Sequence, residues 1–240
     1  MERRRYMRFE VHVHTKYSKD SILCFWPLYI ICRIKHIDGI AITEHNNIEG
    51  AVEFKKFCQK HGDKVNVIIG DEIFTTQGEI IGLFLKEPVS PGMSVGATIR
   101  AIKEQGGIVY VPHPYDPNRN KTVLDIEAIV EYRGDIDCME VHNGRNVDKA
   151  CSVIQNDIAE KCDIKKVVGS DAHTLLEVGR NYMELNEIPQ NADEFHKQIR
   201  IASFHTMNCI VLSHSITKCT KAIKLIFGGR FHELYRAFIK

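Results

Sequence analysis

Between residue 7 and about residue 185, short Val- and Ile-rich runs alternate with helical patterns, and several runs stop abruptly at histidines and carboxylates. Alternation of this kind is the pattern of βα units, whose parallel strands are buried on both faces. It predicts strands at 7–14, 38–43, 65–70, 79–85, 108–112, 136–141 and 166–170, with amphipathic helices at 48–61, 95–105, 123–132 and 147–161. Gly106-Gly107 supplies the stop after the second of these helices. About seven strands with helices between them imply an α/β fold, a distorted (β/α)7 barrel, in which the working residues stand at the strand carboxyl ends. The barrel is expected over residues 1–185. A mainly helical C-terminal extension is expected over 186–240, with a helix at 193–203 and a basic amphipathic stretch at 215–238, broken at Gly228-Gly229 and packed on the barrel.

A chain of 240 residues, 44% hydrophobic, has enough apolar side chains for one substantial core. Its formal charge of +1 gives no global attraction to nucleic acid or to an anionic membrane, so any phosphate-binding charge has to be local. No run approaches the roughly 18 apolar residues of a membrane span, and no apolar segment of a secretory signal follows Met1-Glu2-Arg3-Arg4-Arg5. A cytoplasmic protein is expected. The eight cysteines contain no C-x-x-C pair and read as reduced, buried thiols.

The chemistry lies at the strand ends. In Phe9-Glu10-Val11-His12-Val13-His14, period two puts Glu10, His12 and His14 on one face, and two imidazoles at i and i+2 can ligate one ion from one side. Asp20 follows in a polar loop. The second strand ends in Thr43-Glu44-His45-Asn46, the third in Gly70-Asp71-Glu72, the fifth in Pro112-His113-Pro114, and the last in Ser170-Asp171-Ala172-His173. Any one of these is an ordinary cap or a satisfied polar residue in most proteins. Repeated at five strand ends, they point to a metal centre.

In this order the motifs H-x-H, Asp, T-[DE]-H-N, G-x-E, P-H-P and S-D-A-H resemble the PHP superfamily, named for polymerase and histidinol phosphatase, over residues 7–180. The nearest likeness is to stand-alone phosphoesterases with a C-terminal PHP-associated segment. The resemblance implies a TIM-like barrel, two to three divalent metal ions, and hydrolysis of phosphate esters by a metal-activated hydroxide. It implies that His12, His14, Glu72 and Asp171 hold one ion and that Asp20, His45 and His173 hold a second. Glu72 bridges to a third position that also takes His113. Nitrogen and oxygen donors without thiolate suit Mn, Zn or Fe.

Asp171 and His173 are thus expected in the catalytic centre. Arg145, in a segment resembling the family's E-x-x-N-G-R, is expected to grip substrate phosphate, with Glu140 behind the ligands and His142 outside the site. The substrate class is a small phosphomonoester or nucleotide, nucleic-acid ends included, and no membrane partner is expected. Two departures stand out: Glu44 replaces the commoner Asp, and no histidine stands near residue 80. Period two from Gly82 is expected to turn Glu79 away from the centre, leaving the third position weak or empty. The rival readings are a single-strand exonuclease, for which Arg3-Arg4-Arg5-Tyr6 is the one hint, and a silent metal-binding module. An amidohydrolase is disfavoured because Glu72 stands where its bridging lysine belongs.

Overall fold

The computed structural model describes residues 6–119 and 121–227. Nine strands form one sheet: β1 (Met7–Val13), β2 (Ile37–His45), β3 (Asn66–Thr75), β4 (Gly78–Leu83), β5 (Ile108–Val111), β6 (Cys138–Asn143), β7 (Lys165–Gly169), β8 (Tyr182–Leu185) and β9 (Ser203–His205). Their spatial order is β7-β6-β5-β4-β3-β2-β1-β8-β9. Helices α1 (Phe25–Ile34), α2 (Glu49–Lys60), α3 (Val95–Glu104), α4 (Ile126–Tyr132), α5 (Ala150–Cys162), α6 (Ala192–Ile199) and α7 (Val211–Phe227) complete the described chain.

The sheet curls until its ends nearly meet. The segment after β7 bridges β1 in parallel at Val13 and Ala172, where His14 N–H donates to the Ala172 carbonyl at 2.9 Å. At the other end of β1, Met7, Arg8 and Phe9 pair antiparallel with β8 instead. The barrel therefore closes at the carboxyl end of β1, where the predicted ligands lie, and is prised open at its base.

Strands β1 to β3 and β5 to β7 pair in parallel, as the βα pattern predicts, but β4 runs antiparallel to both neighbours. The cause is local. Only Thr76 and Gln77 separate β3 from β4, which allows a hairpin but not the longer crossover that a parallel partner needs. β3 also runs past the expected residue 70 to Thr75, so Asp71 and Glu72 lie within a strand.

Helices α1 and α2 bury Leu28, Tyr29, Cys32, Ala51, Phe54 and Cys58 against Ile40, Ile42 and Val67 of the sheet. Fully burying one such large apolar side chain is worth roughly 1.5–3 kcal/mol. The other main apolar cluster receives Ile99 and Ile102 from α3, Ile129 from α4, Ala159 from α5, and Phe195 and Ile199 from α6. The chain after residue 185 thus contributes to the same core. The sequence reading overlooked α1, whose β-branched and aromatic residues hide a helix that tolerates Pro27 in its first turn. Residues 228–238 of the predicted basic stretch lie outside the described residues. All eight cysteines are free thiols, but only five are buried as expected: Cys24 and Cys219 are exposed and Cys209 is half-buried. Among the described residues no helix is long and apolar enough to cross a membrane.

Candidate metal centre

Strand geometry brings the predicted ligands together at the closed end of the barrel. His12 Nε2 lies 3.4 Å from Glu72 Oε1 and 3.7 Å from Asp171 Oδ1, and His14 Nε2 lies 3.4 Å from Glu72 Oε2 and from Asp171 Oδ1. Beside this group, Asp20 Oδ1 lies 3.5 Å from His45 Nε2 and 3.3 Å from His173 Nε2. A third group forms where His113 Nε2 approaches Glu72 Oε1 at 3.0 Å and Glu79 Oε2 at 3.6 Å. Glu72 touches all three groups, because its other oxygen lies 2.9 Å from His45 Nδ1.

Backbone strain helps to aim these side chains. His113 (φ 30°) and Asp171 (φ 52°) occupy the left-handed region, which costs a residue other than glycine about 1–3 kcal/mol. Each stands just past a strand end.

Two expectations about facing need correction. Glu79 does not turn away: it is 5% exposed and its Oε1 lies 3.9 Å from His45 Nδ1. Period two holds, but the β3–β4 register pairs Glu72 with Ile81, so the inward face of β4 is the one carrying Ile81 and Glu79. Glu10 does not join His12 and His14. The β1–β2 register shifts between Glu10 and Val13, and the Glu10 carboxylate accepts from Gly179 N–H at 2.9 Å, near Lys35. A bulge of this kind reverses the facing of the residues before it.

The surroundings set the imidazole tautomers. Glu140, fully buried, accepts from His12 Nδ1 at 2.8 Å, from the Tyr110 hydroxyl, from His113 N–H at 2.7 Å and from Asn143 Nδ2 at 2.7 Å. Its carboxylate has only lone pairs to offer, so His12 keeps a proton on Nδ1 and Nε2 is the nitrogen left to face a cation at the centre. His173 Nδ1 donates to the Asp171 carbonyl at 2.8 Å, with the same result. His14 Nδ1 lies 3.2 Å from Ser18 Oγ, whose own proton goes to Glu44. Glu44 also accepts from Thr15 N–H at 3.0 Å, so the longer side chain in place of Asp reaches down to brace the 15–18 loop.

His12 Nε2 and His14 Nε2 lie 3.1 Å apart, so a shared proton or a cation has to lie between them. Against the opposing effect of burial, the Asp171, Glu72 and Glu140 charges hold the His12 imidazole well above its usual range, and the same negative surroundings suit a cation in the proton's place. Asp20 Oδ1 and Glu79 Oε2 are buried without a hydrogen-bond donor. Burial raises Glu79, and the Glu72 charge adds to this, to about 8. Burial, reinforced by His173 and His45, lowers His14 to about 3, which keeps its imidazole neutral and ready to ligate. The donor set fits divalent cations.

Arg145 is neither solvated nor free. It is 6% exposed, its Nη1 pairs with Glu177 Oε1 at 3.0 Å, and it reaches Thr217 Oγ1 at 3.2 Å. Sequence reasoning missed Arg119, whose Nη2 donates to Asp171 Oδ2 and whose Nε lies 3.3 Å from Asp116. It sits in an irregular loop after Pro114, where no periodicity marks it. Glu177 was missed for the same reason, although it accepts from the His173 and Thr174 N–H groups at 3.0 and 2.9 Å. His142 bonds Ser152 and the Met207 carbonyl, outside the centre as expected. A cleft of about 390 Å³ opens over the centre, with Asp20, His45, Glu79, Asp171 and His173 on its floor and Lys19, Arg119, Arg145, Lys218 and Lys221 around them.

The PHP domain model matches residues 10–216. An uncharacterized protein of Methanocaldococcus jannaschii, MJ1587, is 46% identical over 123 residues, covering 46% of this chain and 70% of the relative. Among solved structures, PsfC from Pseudomonas syringae superposes with a TM-score of 0.62 at 17% identity, covering 93% of this chain and 99% of that one. A Bifidobacterium adolescentis protein, provisionally named a metal-dependent phosphoesterase, superposes with a TM-score of 0.59 at 17% identity, covering 80% and 95%. Both structural likenesses establish the barrel. With the family match spanning most of its length and the motif residues gathered at one end of that barrel, the chain belongs to the PHP domain family.

Proposed function

We propose that the protein is a metal-dependent phosphoesterase acting on a phosphomonoester. The observation that carries this reading is the convergence of His12 Nε2 and His14 Nε2 on Glu72 and Asp171, within 3.4–3.7 Å, beside the buried oxygens of Asp20 and Glu79 that have no hydrogen-bond donor. His12, His14, Glu72 and Asp171 would hold one divalent ion, and Asp20, His45 and His173 a second. Glu79 joins His113 and Glu72 as the donor of a third, which removes the reason for expecting that position to be weak. When bound, such ions supply Lewis acidity and lower the pKa of water from about 15.7 towards 7.

The chain's own residues do the rest. Glu140 holds the His12 proton on Nδ1 and keeps Nε2 available. Arg119 and Arg145 stand at the cleft with planar donor arrays suited to phosphoryl oxygens, and their carboxylate partners Asp171 and Glu177 hold them in place beforehand. Lys19 and Lys218 add positive charge to the same opening. This local charge attracts an anionic ester to a chain whose net charge is +1. A bridging lysine of the amidohydrolase kind has no counterpart, since Glu72 occupies the shared position.

The test is a screen of phosphomonoesters and short oligonucleotides with metal-stripped protein supplied separately with Mn, Zn and Fe. Phosphate release that depends on added metal is the expected result. Hydrolysis at the original rate by chelator-treated, metal-free protein would refute the reading, and release from oligonucleotides alone would replace the phosphomonoester with a nucleic-acid end.

A further inference from the structure

Of the candidate ligands to the second ion, Asp20 lies farthest from any strand pairing: His45 ends β2 and His173 directly follows the Ala172 bridge to β1, whereas Asp20 has neither support. Residues 14–24 form an irregular connection between β1 and α1. Something other than sheet hydrogen bonding has to fix the position of the Asp20 carboxylate relative to His45 and His173. Part of the answer is local: Ser18 N–H bonds the Thr15 carbonyl, Lys16 N–H the Leu23 carbonyl, and Ile22 N–H the His173 carbonyl. The carbonyls of Lys16, Ser18 and Ser21 take their donor from outside the loop.

The ammonium of Lys224, on α7, sits among them. Its Nζ donates to the carbonyls of Lys16, Ser18 and Ser21 at 2.8, 2.7 and 2.8 Å. An ammonium has three protons, and here each goes to a different carbonyl of one short loop. Bonds from a charged donor are about twice as strong as neutral ones. Without the ammonium, three carbonyl dipoles would converge with nothing between them, and the loop would have to open to hydrate them.

The other end of α7 braces the opposite flank of the same position. Ser213 Oγ donates to Glu177 Oε1 at 2.6 Å, and the other oxygen of Glu177 accepts from the backbone N–H of His173. The helix therefore touches the loops of both Asp20 and His173. His12, His14 and Glu72 need no such support, being carried on or directly beside β1 and β3.

We propose that Lys224 is a positioning residue for the second cation, holding the 16–21 loop so that Asp20 completes the group formed with His45 and His173. The inference rests on the metal-centre reading above and adds that one of its positions depends on a helix some 200 residues further along the chain. Lys224 does not touch the ion. It acts through Asp20.

The experiment is a calorimetric titration of metal-stripped, full-length protein with Mn2+, and separately with Zn2+, on the native chain, Lys224→Met, Asp20→Asn and the double variant. Methionine keeps most of the apolar stem and removes the charge. Lys224→Met is expected to weaken one equivalent by about 10–100-fold, the usual effect of losing a group that orients a ligand, while the other equivalents keep their affinity. Asp20→Asn should weaken the same equivalent, and adding Lys224→Met to it should change nothing further, as two residues acting in series require. Lys224→Arg, which retains charge and donors, should restore part of the affinity. Native affinity for every equivalent in Lys224→Met, or full additivity in the double variant, would overturn the inference. If Lys224→Met loses its helical circular dichroism, Lys224→Gln replaces it in the same cycle. A native chain that binds neither ion would instead refute the metal-centre reading itself.

Discussion

Replacing Glu140 by Gln changes one atom's chemistry and no shape, yet it should disable the centre from behind. Each carboxylate oxygen faces two donors: Oε1 meets His12 Nδ1 and the Tyr110 hydroxyl, while Oε2 meets His113 N–H and Asn143 Nδ2. A glutamine must therefore turn its NH2 towards a pair of donors whichever way it lies. On the Oε2 side one is the His113 backbone N–H and the other the Asn143 amide, whose oxygen is already held by Arg145 N–H, and a buried donor left unpaired costs about 1–3 kcal/mol. On the Oε1 side the conflict is relieved if His12 moves its proton from Nδ1 to Nε2. That move puts a hydrogen where a lone pair has to face the cation. Loss of such an orienting partner lowers metal affinity by about 10–100-fold. Converted at ~1.4 kcal/mol per decade, the metal-dependent part of the stability falls by about 1.4–2.8 kcal/mol at saturating metal. For a chain of this size the metal-induced rise in Tm should shrink by roughly 3–11 °C. Thermal melts with and without Mn2+, beside an affinity titration, read both quantities. Glu140→Gln protein that binds metal as tightly as native would refute the tautomer argument.

Replacing His12 and His14 together by Ala should remove one ion and cut turnover by orders of magnitude with far-UV circular dichroism largely native, checked by metal analysis of the purified variant. Glu79→Gln should lower the metal content from three equivalents to two, whereas two equivalents in the native chain would return the third position to weak or empty. Arg145→Ala should raise KM for small phosphate esters. It should also lower Tm, because removing one partner of a buried ion pair leaves the Glu177 charge uncompensated at a cost of about 3–5 kcal/mol; an unchanged Tm would show that water reaches the pair. Arg119→Ala should reduce kcat/KM for the same esters without loss of metal, measured as initial rates beside metal content.

What the sequence determined by itself is what repeats and what is spaced locally. Apolar runs ending in His, Asp or Glu mark strands whose ends share one side of a barrel, and H-x-H needs only period two to aim two imidazoles together. Together with the resemblance of the motif order to the PHP superfamily, which alone picks out Asp20 in its loop, this made His12, His14, Asp20, His45, Glu72, His113, Asp171 and His173 legible, and the structure brings them into contact. Facing within a strand was less secure, because period two fixes which residues share a side but not which side is inward. Only the pairing of Glu72 with Ile81 decided that Glu79 turns in, and only the shift between β1 and β2 decided that Glu10 turns away. Groups that act across long separations left no local mark at all. Arg119 meets Asp171 at a separation of 52 residues, Glu140 meets His12 at 128, and Lys224 meets Ser18 at 206. Such contacts arise when a closed sheet brings distant loops over one centre, and no spacing along the chain encodes them.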